Sequence, residues 1–512
     1  MLAAIVGIGV SLAAWGFLEL VHQLQTWIFT DLPSDLGYDG VPAWLYIVVL
    51  GLSGLITAFA IVRLPGEGGH IPAEGLKIGG APVQPLEVPG ILLAAFATIG
   101  LGVVLGPEAP LIAMGAGLGV MAIRALRRDA PEEVQAVMAA SGSIAAVSLL
   151  FGSPIIAAVL LLEALGLDRK KLPLVLLPGL LAAGIGSLIS IGIGSLTGLN
   201  TSDYSIGALA LPAFPTPAIA DFAWTIPLAL FVAVVTFVVI RLGLLSLNVI
   251  RRRPFLLLPA AGVVIALLAL AFQGLTDKDA GEVLFSGQDA LPGLVTEAGS
   301  WSIGALLLVI AFKGLAWGVS LGGFRGGPTF PAMFIGAAAG VLASHLPGFD
   351  MTGAVGVGLA AGVVSVLRLP LTAVILGVLL TSQSGAGTEP LIIVGVVVAY
   401  VATVALDKAF GEPANDAEAT EAPAWLSTFW SLVRPKNRVR RLWVSGSLRF
   451  ALREAVESSP DRRLGGVADF DPTQVGRKSA TPTSPASMRK AKSQSSRGSG
   501  VSLSEPDTRV RR

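Results

Sequence analysis

Glu108 has the clearest chemistry to offer in this chain, because it lies within Gly106-Pro107-Glu108-Ala109-Pro110, directly after the apolar run Ile91–Leu105. An acidic side chain in such surroundings is costly and is usually functional. Proline suits the first turn of a helix, where its missing N–H would be unpaired anyway, so the segment predicts a helix starting over Pro107–Gly117. A helix start exposes up to four unpaired N–H groups and about half a positive charge, which together attract an anion. A carboxylate at that start competes with a free anion for the same donors. Protonation ends the competition, so pH and anion occupancy become linked.

The same pattern recurs. Gly327-Pro328-Thr329-Phe330-Pro331, followed by Gly336-Ala337, repeats 106–110 and its Gly115-Ala116 at a spacing of 221 residues. A second pair, Ser153-Pro154-Ile155-Ile156-Ala157 and Leu369-Pro370-Leu371-Thr372-Ala373, lies 216 residues apart. Two ordered pairs at similar spacing predict an internal duplication, and duplicated membrane proteins often place their binding site where broken helices of both halves meet. Gly68-Gly69-His70-Ile71-Pro72-Ala73-Glu74-Gly75 reads as a third helix start. Converging starts would form an anion site, its candidate residues Gly69, His70, Ile71 and Pro72, Gly106, Pro107, Glu108 and Ala109, and Gly327, Pro328, Thr329 and Phe330, with backbone N–H groups as donors at all but the prolines. Lys313, within an apolar run, reads as a buried partner for a carboxylate or as a positive charge near the path.

The elements that must carry these residues are set by composition. Of 512 residues, 53% are hydrophobic and 13% charged, and mean hydropathy is +0.76. A soluble chain carries about a quarter charged residues. Runs such as Val48–Val62, Ile226–Ile240 and Leu391–Val404, with their flanks, approach the roughly 20 residues that span a bilayer. The reading is an all-α polytopic membrane protein of tilted and broken helices. Met1–Phe17 is apolar without a basic leader or cleavage site, which predicts a retained first helix. No cysteine occurs, which excludes disulfides and thiolate metal sites. His22, His70 and His345 are isolated from one another, with no H-E-x-x-H and no Ser–His or paired-Asp centre, so the chain is read as no enzyme and as needing no metal or cofactor. No nucleic-acid partner is expected. From Arg434 to Arg512 there are 18 basic and 7 acidic residues, and beyond Val467 the composition is that of a disordered segment. Residues 434–512 therefore read as a basic, mostly disordered tail. With the clusters at Arg124–Arg128, Arg169–Lys171 and Arg251–Arg253, the positive-inside tendency places it in the cytoplasm.

Five segments also carry a family resemblance. LGVVLGPEAPLIAMGAGLG (101–119), GGPTFPAMFIGAAAG (326–340) and GGHIPAEG (68–75) resemble the G-[KR]-E-G-P, G-G-x-F-x-P-x(4)-G and G-S-G-I-P motifs of the CLC family of chloride channels and proton/chloride antiporters. SPIIAAVLLLEAL (153–165) and RLPLTAVIL (368–376) resemble two further helices of that family, in the right order. The resemblance, over roughly residues 1–410, implies an anion-transporting homodimer in the plasma membrane, built of two inverted repeats, roughly 1–210 and 220–433. It makes Glu108 the gating glutamate, chloride or a similar inorganic anion the cargo, and protons a candidate second cargo. There are departures. The serine of G-S-G-I-P is Gly69, Pro328 removes a donor, the inner tyrosine aligns only loosely with Asn415, and the paired inner glutamates appear as Glu163-Ala164. Glu163 remains the candidate for a proton path, and weak coupling or channel-like behaviour is expected. A membrane sensor or scaffold that retains the fold but does not transport is the alternative.

Overall fold

The computed structural model describes residues 2–75, 81–166, 171–197 and 207–411. The proposed boundary at 433/434, the basic tail, Asn415, Arg169 and Lys170 lie outside the described residues. The first half comprises α1 (Leu2–Thr26), α2 (Leu32–Asp35), α3 (Ala43–Arg63), α4 (Val88–Gly100), α5 (Glu108–Leu126), α6 (Glu132–Leu150), α7 (Pro154–Leu165) and α8 (Leu172–Thr197). The second comprises α9 (Ile219–Ile250), α10 (Pro254–Leu275), α11 (Ala290–Thr296), α12 (Ile303–Gly323), α13 (Thr329–Ala343), α14 (Met351–Leu367), α15 (Pro370–Leu380) and α16 (Thr388–Phe410). Among the described residues nine helical segments are long and apolar enough to cross a membrane.

Local chemistry explains the boundaries. Proline opens α7, α10 and α15, and Ser153, Ser302 and Asp350 accept N–H bonds from the first turns of α7, α12 and α14. Helix α3 stops at Leu64, held extended by the following Pro65. Its outward stripe is Val48, Leu52, Leu55 and Phe59, whereas the buried face includes Ser53, Gly54 and Thr57. An exposed apolar stripe over a buried face of small and polar residues suits lipid rather than water.

The duplication is written in the packing. Helix α1 packs on α4, α5, α6 and α8, and α9 packs on α12, α13, α14 and α16. In the first half α5 lies on α6, and α6 on α7 and α8; in the second α13 lies on α14, and α14 on α15 and α16. The closest approaches repeat too. A side chain on Gly115 would overlap the Gly142 carbonyl, and one on Gly336 would overlap the Gly358 carbonyl. Small residues thus let paired helix backbones touch. Gly336→Val is expected to lower stability by about 1–3 kcal/mol through overpacking, read as a fall in the thermal midpoint of the detergent-solubilised protein.

Broken helices are the other expectation met. Helix α13 has 15 residues, so at 1.5 Å per residue it covers about 22 Å, short of a hydrocarbon core of roughly 30 Å. All of it but Leu342 is buried. Helix α5 starts buried at Glu108 and ends exposed at Leu126. The third start is a correction. Among the described residues Gly68–Gly75 does not open an α-helix; it makes a single 3-10 turn, Pro72–Glu74, that closes at Gly75 with φ 80°.

Candidate functional site

Pro107 and Pro328 occupy the N-cap positions of α5 and α13, so each helix presents its first N–H groups immediately after a proline. The residues before them pair antiparallel: Gly106 N–H donates to Gly327 O at 2.8 Å and Gly327 N–H to Gly106 O at 2.6 Å. This bridge joins the two halves. Both starts therefore meet inside the protein, where Val103, Val104 and Leu105 are fully buried.

Glu108 lies across the bridge. Its side chain is 1% exposed, and Oε1 accepts the Thr329 N–H at 2.5 Å. A carboxylate from the first half thus covers the helix start of the second, where the N–H groups of the first turn have no acceptor within the helix. Glycine at 106 and 327 makes this possible. A side chain at either position would overlap the Glu108 carboxyl group, and one at Gly106 would also meet Phe330. Phe330 stacks on Phe151, ring centroids 5.6 Å apart, and so closes one side of the site with carbon. Pro328 does lack an N–H, but Thr329 supplies the donor that Glu108 takes.

The third segment reaches the site by a route the motifs did not reveal. Gly66, Glu67, Gly68 and Gly69 all have positive φ, the last at 92°. A serine at 69 would be strained there, which is a physical reason for the departure from G-S-G-I-P. Gly69 and His70 share a cavity with Ala109, and Pro72 shares a smaller one with Pro328. His70 itself bonds Gly75 O at 2.6 Å through Nε2, which makes it a local clasp. Arg325, 6% exposed, holds this loop in place. Its guanidinium donates to Glu67 O at 3.3 Å and to Gly323 O and Phe324 O at 3.1 and 3.2 Å. Arginine beside a helix start carries no local motif, so only the fold identifies it.

Lys313 is fully buried and interacts electrostatically with the Glu282 carboxylate, as expected of it, while its hydrogen-bond acceptors are backbone. Its Nζ donates to Glu282 O, Val283 O and Leu284 O at 2.9, 3.3 and 2.9 Å and lies 4.5 Å from the Phe334 ring centroid. It ties the loop before α11 to α13 rather than lining the Glu108 site.

Glu163 repeats the Glu108 arrangement at the second motif pair. Its carboxylate accepts the Leu371 and Thr372 N–H groups at 2.8 and 2.7 Å and the Thr372 hydroxyl at 2.6 Å. A glutamate of the first half again caps a helix start of the second, here α15. Glu163→Ala is expected to cost about 1 kcal/mol of stability, as loss of a helix cap does, while anion flux is retained; thermal unfolding and flux measured on one preparation check both.

Comparison with known proteins places this geometry. The profile described as "Voltage gated chloride channel" matches residues 54–403. A candidate ion-transport protein of Escherichia fergusonii, YfeO, is 30% identical over 360 residues, covering 67% of this chain and 79% of its own. The YfeO protein of Salmonella paratyphi A is 29% identical over 357 residues, covering 66% of this chain and 79% of its own. Among solved structures, a slow cyanobacterial Cl-/H+ antiporter superposes with TM-score 0.64 at 21% identity, covering 79% of this chain and 94% of its own. A CLC-type fluoride/proton antiporter superposes with TM-score 0.59 at 19% identity, covering 78% and 93%. These two likenesses establish the fold, an all-α arrangement of membrane and broken helices. With its profile match, its relatives and its duplicated helix starts together, the chain belongs to the voltage gated chloride channel family.

Proposed function

We propose that the chain carries a small inorganic anion, chloride first among those to be tested, across a membrane, and that the Glu108 carboxylate closes its path. The observation that carries this reading is the buried carboxylate seated on the α13 start, with Thr329 N–H at 2.5 Å. A free anion at the same donors would gain what the carboxylate now gains, and the two cannot be there together. Protonated Glu108 no longer holds the site, so flux rises as pH falls. The YfeO relatives are described as ion-transport proteins, and the two structural neighbours move chloride or fluoride together with protons. Family membership and the absence of any catalytic constellation in the sequence favour a transporter over an enzyme.

Channel-like or weakly coupled transport is the finer reading. Ala164 stands where a proton-relaying carboxylate is expected, and Glu163 is engaged as the cap of α15. An anion gradient should then drive little uphill proton movement into liposomes. Strong proton pumping that persists in Glu163→Gln would overturn this. The further proposals are a homodimer in the plasma membrane, a membrane region ending near 433, and a cytoplasmic tail over 434–512. Chloride efflux from liposomes containing the purified chain tests the reading itself. Efflux above that of empty liposomes supports it, and none from folded protein favours the non-transporting scaffold.

A further inference from the structure

Pro107, the residue before Glu108 and the N-cap of α5, forms part of the wall of a further cavity, distinct from those lined by Gly69 and by Pro72. That cavity, about 50 Å³, is bounded by His22 and Gln25 of α1 and by Ser286, Gln288 and Asp289 of the loop between α10 and α11. It shares His22, Gln25 and Asp289 with a wider space of about 280 Å³. Exposure falls along this route: Asp289 is exposed, His22, Gln25 and Gln288 are half-buried, and Ser286 and Pro107 are buried. The two spaces meet at His22, Gln25 and Asp289 and together form a funnel whose smaller end reaches Pro107, the chain neighbour of Glu108. Helix α10 starts after Arg253 and runs for 22 residues, about 33 Å, so the loop lies on the face opposite the Arg251–Arg253 cluster.

The narrow end is built rather than incidental. Phe285 N–H donates to Gly102 O at 3.0 Å, which fixes the loop to the first half. Gly287 sits against Phe334 of α13, and Lys313 binds the three carbonyls of 282–284, which fixes it to the second. Ser286 is held between these anchors. Its hydroxyl oxygen accepts the Gln288 N–H at 3.2 Å, and a hydroxyl that accepts still has its own proton to donate.

We propose that this funnel is an anion station on the outward side of Glu108, where a small inorganic anion waits with the Ser286 hydroxyl as its innermost side-chain donor and Gln288 and His22 on its wider wall. The station rests on the transport reading above. It supplies a hydroxyl in a chain whose G-S-G-I-P serine is Gly69. Asp289, itself exposed, lines both the narrow cavity and the wider space, so the anion is held against the Ser286 hydroxyl with one carboxylate on the wall.

Because the chain has no cysteine, Gln288→Cys provides a single labelling site, and Thr296→Cys, exposed in α11 and outside the funnel, provides its control. Chloride flux through liposomes is measured before and after thiosulfonate reagents carrying a sulfonate or a trimethylammonium group. The sulfonate adduct at 288 should cut flux about tenfold and the ammonium adduct far less, with neither acting at 296, and chloride should slow the labelling at 288. Ser286→Ala should raise the half-saturating chloride concentration by about tenfold, the loss of one hydrogen bond to a charge, and leave the maximal rate within about twofold. Full labelling at 288 with unchanged flux, or an unchanged half-saturation in a folded Ser286→Ala protein, would overturn the station while leaving transport intact. No flux in the unaltered chain would overturn the transport reading and the station with it.

Discussion

Glu108→Gln is expected to abolish the pH dependence of anion flux and to leave flux at neutral pH equal to or above that of the unaltered chain. Glutamine keeps the size of glutamate but not its charge, so it no longer outcompetes an anion for the Thr329 N–H and the dipole of α13. The donors stay, because they belong to the backbone of α5 and α13. The unaltered chain should show the complementary behaviour, with flux rising as pH falls and the carboxylate takes up its proton. The size of the effect follows from the site. A charge-assisted hydrogen bond is worth about 1.5–3 kcal/mol, or roughly ten- to a hundredfold in occupancy of the donors at neutral pH. Chloride efflux from liposomes over a pH series measures it, and an altered protein whose flux still follows pH like the parent would refute the gating role.

The second large effect is expected at a residue with no side chain. Gly327 lies under the Glu108 carboxyl group, and a methyl group there would overlap the carboxyl carbon. Gly327→Ala should therefore push the carboxylate off the bridge without removing it. The Gly106–Gly327 pairing uses backbone atoms alone and can persist. Flux at neutral pH is expected to rise by about the same factor as in Glu108→Gln. The double variant separates gating from general damage. If the glycine acts only by seating the carboxylate, Gly327→Ala adds nothing to Glu108→Gln, which is the non-additivity expected of two residues in one contact. Additive effects, or loss of flux in both backgrounds with folding intact, would show that Gly327 serves the path directly.

The parts of this fold that were legible in the sequence are those in which a local rule acts alone. Pro107 and Pro328 mark helix starts because proline and the residues after it set the first turn, and the structure places both starts together. The duplication was legible because Gly115 and Gly336 recur with the motifs, and the same glycines turn out to let α5 approach α6 and α13 approach α14. Where the outcome depends on what lies across space, the sequence was silent or misleading. Gly68–Gly75 has the composition of a helix start, yet four consecutive positive φ values and a guanidinium from Arg325 hold its beginning as a loop. Lys313 reads as the partner of a carboxylate and does interact electrostatically with that of Glu282, but its hydrogen bonds go to carbonyls 29 to 31 residues away, on a loop no periodicity announces. Glu163 illustrates the same limit from the other side. Nothing near it in sequence says that its carboxylate caps a helix 208 residues further on.

Glu108 and Glu163 also share a design. In each case a carboxylate from the first repeat satisfies backbone donors at a helix start of the second, so one interaction both joins the halves and occupies a site attractive to anions. They differ in surroundings. Glu108 is buried over two glycines, whereas Glu163 is half-buried and has a hydroxyl from Thr372 as a third donor. On the proposed reading Glu163 is the fixed cap of α15, and Glu108, seated on the two glycines, is the carboxylate that exchanges with an anion.

The central claim is that one set of helix-start donors is held either by the Glu108 carboxylate or by an anion, and chloride binding tests it without the complication of transport. Titration calorimetry of the purified chain against Glu108→Gln, at neutral and at acid pH, gives the affinity in each state. Binding by the unaltered chain should be weak at neutral pH and tighten as pH falls, and binding by Glu108→Gln should be tight and independent of pH. Equal affinities for the two proteins at every pH would contradict that claim.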